Sequence, residues 1–319
     1  MIEILMEIFS ALLVVLGLVL FETVSSIDNA VINAEVLSTM GQKARRFFLT
    51  WGIFLAVFVV RGILPWLIVF ATIPSLGLFG SLTATFSNDP AVTAALQSSA
   101  PILLMGGGVF LLFLFLHWLF LEAKHYGLRA ECFFMEQGAW FYALVSMLLM
   151  GIVWYALRES PMLAFGAVVG STAFFITHGF RQHAEETERK LLGSGTMSDW
   201  SKVMYLEVID TTFSIDGVLG AFAFTLSVPL ILLGSGIGAI IVRQLTLANI
   251  DRVKKYVYLK NGAMYSVLCL GLVMIAEGFS VHIPEWLAPM LTFLIIGYFF
   301  QKSRLELQRE AVALPKKEE

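Results

Sequence analysis

Two short stretches of this chain place carboxylates within apolar sequence: Glu22-Thr-Val-Ser-Ser26-Ile-Asp28-Asn29-Ala30 and Asp210-Thr-Thr-Phe-Ser214-Ile-Asp216-Gly217-Val218. In each, an acid is followed six residues later by the Asp of a Ser-Ile-Asp triplet. Acids buried in apolar surroundings are costly and mark ion or proton pathways. Two copies about 190 residues apart suggest half-sites that meet at one pocket.

The donors on offer are all oxygen. Glu22, Asp28, Asn29, Asp210, Ser214, Asp216 and Glu207 form the candidate metal shell, and neither motif contains Cys or His. Such donors suit hard divalent cations, Mn²⁺, Mg²⁺ or Ca²⁺, better than copper or zinc. An arginine set in apolar sequence follows each copy, in Val60-Arg61-Gly62 and Val242-Arg243-Gln244. The five acids and two arginines sum to -3; one divalent ion leaves -1 and one proton closes the gap, which makes metal-for-proton exchange the expected chemistry. Arg61 and Arg243 belong behind the metal as counter-ions, because a cation in direct contact would repel it. Ser26 and Asn33 are assigned the same outer role, with interhelical hydrogen bonding as the plainer use of both.

Helical geometry constrains how these groups converge. Glu22, Ser26, Asn29 and Asn33 share one stripe of a regular helix, as do Glu207, Asp210, Ser214 and Gly217. Asp28 and Asp216 would point about 120° away from their partner acids. Convergence on one ligand therefore requires unwinding at Ser26-Ile-Asp28-Asn29 and Ser214-Ile-Asp216-Gly217, whose residue types offer the backbone alternatives to helix. Unwound backbone in a membrane needs a polar cavity lined by protein.

The elements that carry these motifs are membrane spans. Of 319 residues 58% are hydrophobic and 14% charged, too apolar for a soluble domain of this size. Segments of about 20 apolar residues occur at 8–36, 47–73, 101–121, 139–157, 162–179, 203–226, 229–248, 257–277 and 285–301. The chain is thus expected to be an all-α, polytopic transmembrane bundle of about nine helices forming one membrane domain. The first span has acidic rather than basic residues before it and no cleavage site after it, so it reads as a retained helix. Lys and Arg concentrate in alternate connections: Lys43 to Arg46, Lys124 and Arg129, Arg181 to Lys202, Arg252 to Lys260, and the tail from Lys302, whereas the opposite set holds Arg158. This predicts an external N-terminus and a cytoplasmic C-terminus.

Spans one to three (8–125) match spans six to eight (200–278), and five spans separate their starts, so the two units enter the membrane in opposite directions. Spans four and five (139–180) are inserted between them; a ninth span (285–301) and a cytoplasmic tail (302–319) follow. The connection at 74–100 is expected outside, with a short surface helix at 90–97; that at 181–199 is expected to be a solvated linker, helical at its start and loose at Gly193-Ser194-Gly195. Glycines in Gly106-Gly107-Gly108, Gly166-x3-Gly170 and Gly234-x3-Gly238 read as close helix packing. His117 and His178, each near a span end, read as lone histidines satisfied locally.

Several function classes drop out. Cys132 and Cys269 have neither disulfide nor metal spacing, and nothing supports nucleic-acid binding. No nucleophile and base pair or His-rich cluster points to an enzyme. Partners are the lipid bilayer and the transported ion, with no resident cofactor; a homo-oligomer is compatible with the sequence.

The paired acid-x5-Asp motifs with Ser-Ile-Asp28-Asn29-Ala and Ser-Ile-Asp216-Gly-Val, each followed by an intramembrane arginine, resemble the TerC family of integral membrane proteins, named for tellurium resistance, and in particular its longer, functionally undefined bacterial branch. The resemblance covers both repeats. It implies a bacterial inner-membrane, multi-pass transporter related to the lysine-exporter superfamily, with Mn²⁺ as the favoured cargo and export as the direction. It also implies metal-site roles for Glu22, Asp28, Asn29, Asp210 and Asp216. The chain departs from that pattern in having Asp216-Gly217 where Asp-Ser is typical, and in its two inserted spans. The alternatives are an exporter of an amino acid or other small organic solute, and a non-transporting partner in a membrane complex.

Overall fold

The computed structural model describes residues 2–52, 55, 62–63, 66, 70, 77–85, 90–124, 128–194, 198–248 and 255–313, and every element among them is helical. In chain order these are α1 (Ile2–Ser25), α2 (Ile27–Ser38), α3 (Gln42–Phe47), α4 (Gly77–Thr85), α5 (Pro90–Leu121), α6 (Arg129–Glu136), α7 (Phe141–Glu159), α8 (Pro161–Ser194), α9 (Asp199–Phe222), α10 (Val228–Ala248), α11 (Leu259–Gly278) and α12 (Leu287–Ala313). A π-helical turn at Phe48–Gly52 extends α3. Most of the expected second span, including Arg61, lies outside the described residues, as do the side chains of Asp28 and Asn29.

Among the described residues six helices are long and apolar enough to cross a membrane: Leu5–Ser25, Ser99–Leu121, Gly138–Glu159, Pro161–Phe180, Val228–Leu245 and Leu259–Gly278. Two further expected spans are the helices α9 and α12, which run 24 and 27 residues and carry more charge. The expected surface helix at 90–97 is not a separate element: Pro90 opens the 32-residue α5, which continues through Pro101 to Leu121. The expected linker after span five is helical as far as Ser194, the end of α8.

α5 is the central helix. In its span 72% of the most apolar window is buried, against 17% for the span containing α7, which sits at the periphery. The Gly106-Gly107-Gly108 triplet explains how it packs on both sides. A Cβ on Gly108 would lie 2.8 Å from the Gly271 carbonyl and 2.7 Å from Ile275 Cγ1 of α11, and one on Gly106 would lie 3.0 Å from the Gly166 carbonyl of α8. Gly170 in turn presses on the Gly106 backbone. Without side chains here, α8 and α11 approach the α5 backbone directly. Gly234 and Gly238 of α10 do the same for α1, receiving Leu18 and Glu22: Cβ atoms there would come within 2.6 Å of either side chain.

Candidate functional site

In the first motif copy, α1 ends at Ser25 and α2 begins at Ile27, leaving Ser26 between them at φ -90°, ψ 4°. The interruption is slight. Ser26 N–H still donates to the Glu22 carbonyl (3.1 Å) and Ala30 N–H to the Ser26 carbonyl (2.9 Å). Ser26 Oγ donates to Glu22 Oε1 at 2.9 Å, and Glu22 is buried. Asn33 is buried on α2, with no hydrogen-bond partner for Oδ1 among the described residues.

The second copy departs from expectation. α9 runs unbroken through Ser214, Ile215, Asp216 and Gly217, so the predicted unwinding there does not occur. On a continuous helix Asp210 and Asp216 face about 120° apart, and they belong to different surroundings.

Asp210 joins a charged cluster against α10. Arg243 Nη1 stands 3.7 Å from Asp210 Oδ2, and Arg243 Nη2 donates to the Phe48 carbonyl at 2.7 Å. The guanidinium also lies 4.1 Å over the Phe48 ring. Glu207, one turn before Asp210, is 7% exposed, and neither of its oxygens has a hydrogen-bond partner among the described residues. Gly52 closes the cluster: a Cβ there would collide with Glu207 Oε1 and lie 2.8 Å from Arg243 Nη2. The π-helical turn brings Phe48 and Gly52 onto this cluster; such turns recur at functional sites. Arg243 thus neutralises part of the Glu207 and Asp210 pair.

Asp216 instead faces a cavity of about 730 Å³. Ser25, Ser26 and Ile27 of the first copy and Asp216 and Gly217 of the second line the same space, so both motif copies reach it. Ser214 is buried on α9. The rest of the wall includes His117 and Trp118 of α5, Glu122 just past its end, Tyr142 of α7, His178 and Gln182 of α8, and Lys260 of α11. Among the described residues no group of three or more His, Cys, Asp or Glu is placed to hold a metal ion. Of the seven candidate oxygen donors, Glu207 and Asp210 gather around Arg243, whereas Asp216 faces the cavity.

The sequence missed the two histidines as a pair. His117 and His178 are 61 positions apart, and only the α5–α8 crossing brings their rings to 3.9 Å between centroids. His178 stacks on Phe174 (5.8 Å, 3°) and His117 meets Phe141 edge-on. Lys260 pairs with Glu122 at the rim, linking α11 to the end of α5. Lys124 Nζ donates to the Trp118 and Leu119 carbonyls, each at 2.8 Å, capping α5. Burial lowers the Lys124 pKa, and Glu131 and Glu122 oppose that effect. Glu131, also missed, is fully buried: its Oε2 accepts from Leu128 N–H (2.8 Å) and Asn261 Nδ2 (2.7 Å), fastening α6 to α11.

Comparison with known proteins adds the following. The sequence profile of a family described as a protein of unknown function (DUF475) matches residues 27–310. An uncharacterized membrane protein, YceF of Bacillus subtilis (strain 168), is 27% identical over 125 residues, covering 37% of this chain and 48% of that protein. The chain thus spans about half the length of that relative. No solved structure matches.

Proposed function

The chain belongs to the DUF475 family of membrane proteins, and on that premise we propose that it is a transporter that moves a divalent metal cation out of a bacterial cell across the inner membrane. The observation that carries this reading is the single cavity lined by Ser26 of the first motif and Asp216 of the second. Acids and hydroxyls from two repeats facing one space are what a substrate moving between half-sites requires. Asp28 and Asn29, which follow in the same motif, are the further oxygen donors of this proposal, and Glu22 would orient Ser26 through their hydrogen bond.

In this reading the Glu207, Asp210 and Arg243 cluster supports the site from the side of α10. Protons are the counter-substrate, because a divalent ion alone leaves the acids with an excess negative charge. Mn²⁺ is the favoured cargo among the hard divalent cations, Mg²⁺ and Ca²⁺ included, that oxygen donors admit. The likeness of the paired motifs to TerC proteins supports manganese and the outward direction. The protein performs transport without covalent chemistry and without a resident cofactor.

Flux assays with purified protein in proteoliposomes, challenged with Mn²⁺, Mg²⁺ and Ca²⁺, test this. Mn²⁺ flux that drives a pH change and is lost in Asp28→Asn and in Asp216→Asn, with membrane insertion retained, is the expected result. Flux indifferent to both substitutions, or absent for all three ions, overturns the reading. Flux independent of the pH gradient removes only the proton exchange. A second reading, export of an amino acid or similar solute, is favoured by the cavity volume, which falls in the small-molecule range of about 300–1,000 Å³, and by its acid and base groups, Asp216 and Lys260. Counterflow of labelled amino acids separates the two.

A further inference from the structure

A second cavity, of about 330 Å³, lies at the other end of the same helices. α5 lines the first cavity with Leu114, His117, Trp118 and Leu121 and the second with Leu104; α9 contributes Asp216 and Gly217 to the first and Phe222 to the second. α11 contributes Lys260, Ala263, Met264 and Val267 to the first, Val273 and Glu277 to the second. Three helices therefore run from one cavity to the other, and on each the order of residues is consistent.

What separates the cavities is thin and dry. From Val267 to Val273 on α11 is about 9 Å of helix, and from Gly217 to Phe222 on α9 about 7.5 Å, against a hydrocarbon thickness of about 30 Å. The intervening layer contains Val218 and Ala221 of α9 and Leu270 and Met274 of α11, each exposed by 1% or less. Met274 reaches the backbone of Gly107, so α5 seals the layer. Met264, Val267, Leu270, Met274 and Glu277 fall at spacings of three and four, one stripe of α11 that passes from cavity to apolar layer to cavity. Acids line both ends: Asp216 and Glu122 beside Lys260, His117 and His178 at one, Glu277 and Glu285 beside His282 at the other.

We infer that the two cavities are the ends of one cation route along α5, α9 and α11, and that the Leu270–Met274 layer is its gate, closed in this conformation. The inference rests on the transporter reading and adds to it the far end of the path and the barrier. A pocket that merely binds a ligand needs neither a second cavity on the same three helices nor a barrier a fraction of the bilayer thick.

Cysteine accessibility tests it without measuring transport. In a Cys132→Ser/Cys269→Ser background, single cysteines at Met264, Leu270 and Val281 are exposed to a charged, membrane-impermeant thiol reagent added to either face of sealed vesicles. Met264→Cys is expected to react from one face and Val281→Cys from the opposite face, with Leu270→Cys on the order of tenfold slower than either. Met274→Ala, which thins the layer, should raise the Leu270→Cys rate toward the others. Labelling of Met264→Cys and Val281→Cys from the same face, or of Leu270→Cys as fast as Met264→Cys, overturns the route. Ala263→Cys and Thr225→Cys report on the same two cavities if a first-choice variant fails to fold. Flux of an ion is not read, so a failed transport assay and a failed labelling pattern are separate outcomes.

Discussion

Arg243 has four partners of different kinds within reach: Asp210, Glu207, the Phe48 carbonyl and the Phe48 ring. A buried cation removed from such a setting leaves the acids without compensation, a loss of about 3–5 kcal/mol. Arg243→Gln should therefore lower the unfolding midpoint in detergent strongly, and adding Asp210→Asn to it should recover part of the loss. Equal loss in the single and double variants would show that the guanidinium acts through packing on Phe48. Asp216 presents the contrast, since it borders the cavity. The residue types and their spacing made both acids legible in the sequence, and the arginine as well. Their separation into two surroundings was not legible, because it depends on whether Ser214-Ile-Asp216-Gly217 yields to unwinding or stays in the helix. Packing decided for the helix: Gly220 meets Phe21 of α1 closely, and Val218 and Ala221 are buried.

At the level of elements, apolar length was a reliable guide. The expected limits of the third, fourth, fifth, seventh and eighth spans agree with the apolar helices to within three residues. Glycine spacing was equally informative, since Gly106, Gly166 and Gly170 do meet across α5 and α8. Gly170→Val should force these helices apart, costing about 1–3 kcal/mol or more, and should loosen the His117–His178 contact at the same crossing. Tryptic protection of α8 together with thermal unfolding measures both effects; an unchanged midpoint would mean that the crossing tolerates a wider separation. The histidine pair itself could not be read from one sequence. Two lone imidazoles on distant spans carry no mark of adjacency until the crossing angle is known. Pro90 and the polar run that follows it hid the true start of α5 for a related reason, because a proline is as compatible with the first turn of a long helix as with a loop.

For the whole molecule, charge at the cavity rim outweighs its contribution to stability. The Glu122–Lys260 pair is more than a third exposed on both side chains, and such pairs add about 0–1 kcal/mol. Its ammonium nevertheless faces the cavity that Asp216 shares. Lys260→Gln should leave the unfolding midpoint nearly unchanged while lowering the half-saturating cation concentration several-fold, an effect of about 1 kcal/mol. Glu122→Gln should act in the opposite direction. Isothermal titration of Mn²⁺ into detergent-solubilised protein distinguishes this from a structural role, which would shift stability and leave affinity alone.

The wall of the large cavity is built partly by Tyr142, His178 and Gln182, all from helices α7 and α8. Remove that pair, and acyl chains of the bilayer would press directly against Asp216 and Ser26. A chain lacking them would have to borrow a wall, from a neighbouring protomer or from tightly held lipid. Here α7 and α8 do that work, and one polypeptide keeps its own polar interior out of the oil.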